Sequence, residues 1–135
     1  MLPYAPFGKL CRMSIRVVLA DDSDEVRTML RMALEIDGRF EVVGEAADGE
    51  QAVGAVKDLR PDAIFLDLMM PEVSGLEAIP RIRAECPDTK IVVLSVAAMH
   101  PSSADARRLG AAAVIQKGGD QTADELAAEV AGLFA

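Results

Sequence analysis

The sequence is short of basic residues: 14 lysines and arginines stand against 22 acidic residues in a chain of 135. The resulting formal net charge of −8 at pH 7 gives a surface that repels nucleic-acid phosphates. The sequence also has no apolar run near the roughly 20 residues needed to span a bilayer. Direct binding of nucleic acid and insertion into a membrane are therefore not expected of this chain.

Cysteine and histidine are scarce as well, with two cysteines and one histidine. Cys11 and Cys86 stand far apart and match no metal-binding or redox spacing. We expect both to be reduced thiols and the chain to be cytoplasmic. His100 precedes Pro101 in a predicted loop, and we interpret it as a bystander rather than as a phosphohistidine relay.

The chain does contain enough apolar material for the core of one domain, since 51% of its residues are hydrophobic and 27% are charged. Residues 1–13 contain two prolines, lack periodicity and have no signal-peptide core. We expect them to form a flexible N-terminal extension. The predicted domain comprises residues 14–135.

Five short apolar runs alternate with segments of helical spacing over this range. The predicted strands are 15–20, 40–44, 63–66, 91–94 and 112–115. The first helical segment begins after Ser23, ends at Gly38 and carries an apolar stripe of Val26, Met29, Leu30, Ala33 and Leu34. The last segment, 120–134, carries Leu126, Val130 and Leu133 on one face. Such alternation predicts a parallel sheet with helices on both faces.

Polar residues follow the predicted strands at the same end. Asp21 and Asp22 come after strand one, and Asp67 ends strand three in the stretch IFLDLMMP. Ser95 ends strand four, and Lys117 follows strand five. Because the carboxyl ends of parallel strands meet at one edge, where such sheets bind ligands, we expect these side chains to converge.

Three converging carboxylates would repel one another, and a hard divalent cation would remove that repulsion. Oxygen ligands suit Mg²⁺, which keeps several waters and takes one or two carboxylates. We expect Asp22 and Asp67 to bind the metal directly, Asp21 to act through water, and the Met69 backbone carbonyl to complete the shell. Taken alone, Asp21 and Asp22 would more often be a helix-capping pair, and Asp67 could be a strand-end cap.

The same residues fit phosphoryl transfer. An aspartate can act as a nucleophile and form an acyl phosphate, and the reaction needs positioning and charge neutralisation above all. Asp67 is the predicted phosphoacceptor. The Ser95 hydroxyl would donate to a phosphoryl oxygen and Lys117 would supply positive charge, although either could be an ordinary loop residue.

These motifs together resemble the receiver domain of bacterial two-component response regulators: DDS after strand one, DLMMPEVSG around Asp67, LS after strand four and Lys117 after strand five. The resemblance implies a flavodoxin-like (βα)5 fold with strand order 2-1-3-4-5. It also implies that a sensor histidine kinase or phosphotransfer protein phosphorylates Asp67. Such a domain is a signalling module and is no enzyme beyond its own phosphorylation and dephosphorylation.

Two positions depart from the family pattern. Val114 stands where the family usually carries an aromatic residue, so signal transfer would have to use Ser95, the loop 96–101 and the next helix. Gly118 stands where many receivers have a proline in a cis bond, and we predict a trans bond there because a non-proline cis bond costs about 3–4 kcal/mol. The missing proline and the Ser95–Val96 pair resemble receivers joined to LuxR-type helix-turn-helix output domains.

Other functions remain open from the sequence. The chain could be a pseudo-receiver that acts as an interaction module without phosphate. A flavoprotein is disfavoured because two acids follow strand one, where a flavin site would need a phosphate-binding loop of serine, threonine or glycine. An aspartate-based phosphatase is disfavoured because it would need a second acid two residues after its nucleophile, and Met69 stands there. Met69 and Ala97 also cannot orient a water, so slow autodephosphorylation is expected.

The sequence ends one helix after Lys117. We expect the chain to be a piece of a longer transcription factor, with a single-domain receiver as the alternative. A homodimer through the C-terminal helices is a further expectation.

Overall fold

A computed structural model describes residues 14–70, 73–95, 101–116 and 122–134 of the protein. Strands and helices alternate along the chain. The strands are β1 (Ile15–Ala20), β2 (Phe40–Ala46), β3 (Ala63–Asp67), β4 (Lys90–Ser95) and β5 (Ala113–Gln116). The helices are α1 (Asp24–Asp37), α2 (Gly49–Leu59), α3 (Gly75–Glu85), α4 (Pro101–Leu109) and α5 (Ala123–Gly132).

The strands form one parallel sheet in the order β2-β1-β3-β4-β5, which confirms the predicted fold class and strand order. From β1 the chain moves outward to β2 and then returns to place β3 on the other side of β1. The topological switch point therefore lies between β1 and β3. Ligands of open parallel sheets bind at the carboxyl ends of the strands that flank such a point.

The two faces of the sheet carry separate cores, because successive side chains of a strand point to opposite sides. Helices α2, α3 and α4 cover one face, on which Val18, Ile64 and Val93 are buried. Helices α1 and α5 cover the other face, on which Val17, Phe65 and Leu94 are buried. The predicted placement of helices on both faces is confirmed.

Helix caps explain where several elements begin and end. The Ser23 side chain accepts from the backbone N of Val26, and Gly38 ends α1 with a φ of 86°, as the sequence predicts. The capping boxes of Ser74 with Glu77 and of Thr122 with Glu125 were not identified in the sequence. Since Thr122 is the cap, α5 begins at Ala123 and not at the predicted residue 120.

One predicted core residue is wrong. Met29 is 60% exposed, whereas Leu30 and Leu34 of the same stripe are buried against the sheet. Apolar spacing identified the helix, but the stripe is wider than the surface that meets the sheet. In α5 the predicted apolar face is confirmed, because Val130 is buried and Leu126 and Leu133 pack against the same core.

None of the helices within the described ranges is long and apolar enough to cross a membrane. Cys86 is a buried free thiol, in agreement with the sequence. The predicted N-terminal extension, residues 1–13, lies outside the described residues, and so do Cys11 and His100.

Candidate functional site

The register of β1 and β3 brings the predicted acids to one place. Ala20 of β1 pairs with Leu66 of β3, so Asp21, directly after β1, and Asp67, the last residue of β3, lie side by side. Asp22 follows in the turn between β1 and α1. The acids therefore lie at the switch point of the sheet, where the topology predicts a ligand site.

The three carboxylates form a compact cluster. One oxygen each from Asp21, Asp22 and Asp67 can be chosen so that all lie within 4.8 Å of one another. Asp21 is 1% exposed and Asp67 is 4% exposed, whereas Asp22 is exposed. Burial weakens the screening of charges by water, so negative charges on Asp21 and Asp67 would interact more strongly there than at the surface.

Local hydrogen bonds orient the two buried acids. The Asp21 carboxylate accepts from the backbone N of Ser23 at 2.9 Å, and that of Asp67 accepts from the backbone N of Met69 at 3.1 Å. In both bonds the donor is the backbone amide two residues after the aspartate, a local arrangement typical of aspartate in turns. The backbone N of Asp21 also donates to the carbonyl of Ala46 in β2 at 3.0 Å.

Two glycines let the starts of α2 and α3 close on the backbone that follows Asp67. The N–H of Gly75 donates to the Leu68 carbonyl at 3.2 Å, and the N–H of Gly49 donates to the Val73 carbonyl at 2.9 Å. A Cβ on Gly75 would lie 2.1 Å from the Asp67 carbonyl oxygen, and one on Gly49 would lie 2.0 Å from that of Val73. No side chain fits at either position, so the glycines fix the chain segment that carries Asp67.

The donor set fits a magnesium ion. The cluster consists of carboxylates alone, which are hard oxygen ligands and suit Mg²⁺ or Ca²⁺ rather than a soft transition metal. Two of the acids are nearly buried and close together, so a divalent cation would offset the negative charge of the carboxylates.

The other predicted site residues are placed only in part. Ser95 is the last residue of β4 and pairs with Gln116, the last residue of β5. The Ser95 side chain, Lys117 itself, and the Lys117–Gly118 bond lie outside the described residues. Met69 lies two residues beyond Asp67, and its side chain points largely to solvent, with 72% exposure.

An arginine at the site was not identified in the sequence. Arg27 donates to the backbone carbonyl of Asp21, to the carboxylate of Asp24, and through Nε to Glu45 at 2.8 Å. Hydrogen bonds from Arg31 and then from Arg27 hold the pKa of Glu45 below its usual range. The sequence did contain one indication of this role, an arginine in the first turn of a predicted helix, where the helix dipole disfavours positive charge.

Comparison with known proteins identifies the family. The family model described as the response regulator receiver domain matches residues 17–131. This range holds β2 to β5, most of β1 and the three clustered acids. The chain belongs to the response regulator receiver domain family.

Individual relatives agree with the family model. The response regulator GacA of Pseudomonas viridiflava is 39% identical over 105 residues, which cover 77% of this chain and 49% of the relative. The solved receiver domain of the response regulator NarL from Mycobacterium tuberculosis has a TM-score of 0.82 and 32% identity, covering 90% of this chain and 97% of that one.

A LuxR-family response regulator from Aurantimonas is also similar in structure, with a TM-score of 0.81, 28% identity and coverage of 89% of this chain and 84% of that one. The chain spans about half the length of the curated GacA relatives that it matches, 49% in the case of Pseudomonas viridiflava.

Proposed function

We propose that this chain is a phosphorylation-dependent switch of a two-component system in which Asp67 accepts a phosphoryl group. One observation carries the proposal: Asp67 lies nearly buried at the switch point, with oxygens of Asp21 and Asp22 within 4.8 Å. A carboxylate with a purely structural role does not require two acidic neighbours. A carboxylate that accepts a phosphoryl group beside a cation does require them, because the neighbouring acids hold that cation.

The acidic cluster is of the kind at which receiver domains bind Mg²⁺. Asp22, Asp67 and the Met69 carbonyl would hold the ion directly and Asp21 would hold it through water. When bound, the ion would neutralise charge on the carboxylates and on the incoming phosphoryl oxygens.

The residues of the chain itself would position the reaction. The Asp67 carboxylate attacks the phosphorus of a phosphohistidine, the P–N bond breaks, and its electron pair stays on the imidazole of the donor. The Met69 amide fixes the orientation of the Asp67 carboxyl group through its hydrogen bond. Ser95 and Lys117 would donate to phosphoryl oxygens from the ends of β4 and β5, a task of charge stabilisation rather than acid–base chemistry.

The donor would be a sensor histidine kinase or a phosphotransfer protein, and the setting cytoplasmic. The response would pass to an output domain or a partner, with regulation of transcription as the expected outcome. The sequence resemblance to receivers with LuxR-type output supports this, as does the similarity to a LuxR-family response regulator. A homodimer through the C-terminal helices stays a prediction.

The test is phosphorylation by acetyl phosphate with and without Mg²⁺, measured as the shifted fraction on a Phos-tag gel. We expect a shifted band for the wild type with Mg²⁺, and none with EDTA or for Asp67→Asn. Asp62→Asn removes a carboxylate from the other end of β3 and should behave as the wild type. A shift that persists in Asp67→Asn would contradict the proposal.

The second candidate is a pseudo-receiver, an interaction module that takes no phosphate. Val114 favours it, because this half-buried position in β5 carries a valine where receivers usually carry an aromatic ring. The same gel separates the two candidates. Absence of a shifted band in folded wild-type protein at saturating Mg²⁺ would favour the pseudo-receiver.

A further inference from the structure

Arg27 occupies an unfavourable position for a cation, and yet its side chain is only 12% exposed. It lies in the first turn of α1, beside the acidic Asp24 and Glu25, where the unpaired N–H groups of the helix already carry partial positive charge. A long charged side chain held close to the protein at such a place needs specific partners.

The partners of Arg27 come from three elements. One terminal nitrogen donates to the backbone carbonyl of Asp21, directly after β1, and the other donates to the Asp24 carboxylate at the start of α1. Nε donates to Glu45 near the end of β2 at 2.8 Å. The guanidinium group therefore joins the turn between β1 and α1 to the neighbouring strand.

The contact with Asp21 bears directly on the acidic cluster. The carbonyl that Arg27 contacts belongs to the peptide unit joining Asp21 to Asp22, and a peptide unit is planar. Fixing its oxygen therefore fixes the direction in which the chain leaves Asp21 and places the Cα of Asp22.

We propose that Arg27 is a positioning residue for the metal site: it holds the Asp21–Asp22 peptide so that both carboxylates face Asp67. The inference rests on the proposed function, in which these acids bind Mg²⁺. Groups that orient ligands without touching the metal change metal affinity by about 10–100-fold in other proteins.

A purely electrostatic role predicts the opposite sign. Arg27 is a cation close to a site for cations, so removal of its charge alone would strengthen Mg²⁺ binding. A positioning role predicts weaker binding, because the turn loses the bond that orients its peptide. The direction of the change therefore decides between the two roles.

Arg31 provides a matched control in the same helix. It lies one turn further along α1 and donates to the same Glu45 carboxylate, through Nε at 2.9 Å. Its other ion pair is with Glu35. Arg31→Gln likewise removes one positive charge and a hydrogen bond to the Glu45 carboxylate. It leaves the contact between Arg27 and the Asp21 carbonyl in place.

The experiment is calorimetric titration of the intact chain with Mg²⁺ for the wild type, Arg27→Gln, Arg27→Lys and Arg31→Gln. We expect Arg27→Gln to weaken binding about tenfold, Arg27→Lys to recover part of the loss, and Arg31→Gln to stay near the wild type or bind slightly more tightly. Binding by Arg27→Gln as tight as in the wild type would overturn the inference. If the wild type bound no Mg²⁺, the proposed function would fail first.

A second measurement excludes simple loss of folded protein. The rate of phosphorylation by acetyl phosphate is measured against Mg²⁺ concentration, with the folded fraction of each variant taken from circular dichroism. A positioning role predicts that Arg27→Gln raises the half-saturating Mg²⁺ concentration and preserves the plateau rate. A lower plateau at an unchanged half-saturating concentration would overturn the inference.

Discussion

Strand β3 has an aspartate at each end, and the two carboxylates have different surroundings. Asp62, just before the strand, accepts from the backbone N of Arg16 at 2.9 Å. Its own backbone N donates to the carbonyl of Arg16 at 2.8 Å, and its carbonyl accepts from the N of Lys90 at 2.9 Å. Asp62 therefore ties β1, β3 and β4 together at their amino ends.

Asp67, at the carboxyl end of the same strand, lies among other acids. Its neighbours are Asp21 and Asp22, and its carboxylate accepts from the amide of Met69 in its own turn. At the amino ends the structure supplies partners for polar groups, as in the bond from the Thr89 hydroxyl to the Pro61 carbonyl at 2.7 Å. The Asp62 carboxylate thus bonds between strands, whereas the Asp67 carboxylate lies with two others in a set of hard oxygen ligands that suits a divalent cation.

The largest expected effect comes from the loss of a proposed metal ligand at the carboxyl ends of the strands. Asp22→Asn should weaken Mg²⁺ binding at least about tenfold, because a neutral amide replaces a directly bound carboxylate. Asp62→Asn makes the same chemical change at the other end of β3 and should leave the Mg²⁺ affinity within about twofold of the wild type. Titration calorimetry measures both, and equal losses in the two variants would refute the distinction between the ends.

A methyl group at Gly75 should disturb the Asp67 end through packing alone. Because its Cβ would lie 2.1 Å from the Asp67 carbonyl oxygen, we expect Gly75→Ala to cost about 1–3 kcal/mol of unfolding free energy. Gly54→Ala in α2 is the control. Its Cβ would have nothing within 4 Å, and the change should stabilise the helix by about 0.5–1 kcal/mol. Urea denaturation measures both, and equal effects would contradict the close-contact argument.

The lifetime of phosphate at Asp67 should depend on the residue two positions later. Met69 cannot hydrogen-bond a water, so Met69→Asn is expected to speed autodephosphorylation about three- to tenfold by orienting the attacking water. Met32→Asn makes the same change at another exposed methionine and should leave the rate unaltered. Decay of the shifted band after removal of acetyl phosphate gives the rates, and similar rates for Met69→Asn and the wild type would reject the mechanism.

The smallest expected effect concerns Glu45, an acid near the carboxyl end of β2 that pairs with Arg27 and Arg31. Hydrogen bonds from Arg31 and then Arg27 lower the pKa of Glu45, so the ionised form is favoured in the folded state. The stabilisation is present above the ordinary glutamate pKa and is lost as the pH falls through the lowered value. Because the pair is partly exposed, we expect about 0.5 kcal/mol at most.

Unfolding free energies of the wild type and Arg31→Gln, measured between pH 7 and pH 3, test this. The difference between the two proteins should be largest near neutral pH and should shrink as Glu45 is protonated. A difference that grows on acidification would have the wrong sign for a lowered pKa.

The sequence was sufficient for the sheet and for the position of the acids. Local signals define β1 and α1, because the apolar run, the Ser23 cap and Gly38 all lie within a few residues of the boundaries they set. The meeting of Asp21 with Asp67 followed from topology, since parallel strands bring their carboxyl ends to one edge.

Other features depend on contacts between distant segments. The role of Arg27 needs Glu45, which is 18 residues away and becomes a neighbour only when β2 pairs with β1. The exposure of Met29 depends on how α1 is rotated against the sheet, which helical spacing does not determine. The close approach of Gly75 to the Asp67 backbone likewise exists only in the folded chain.

The most direct test is a crystal structure of the protein with Mg²⁺ at saturating concentration. We expect one ion between the ends of β1 and β3, bound by carboxylate oxygens of Asp22 and Asp67 and by the Met69 carbonyl, with Asp21 joined through water. An ion bound elsewhere, or three carboxylates that stay together with no ion between them, would contradict it.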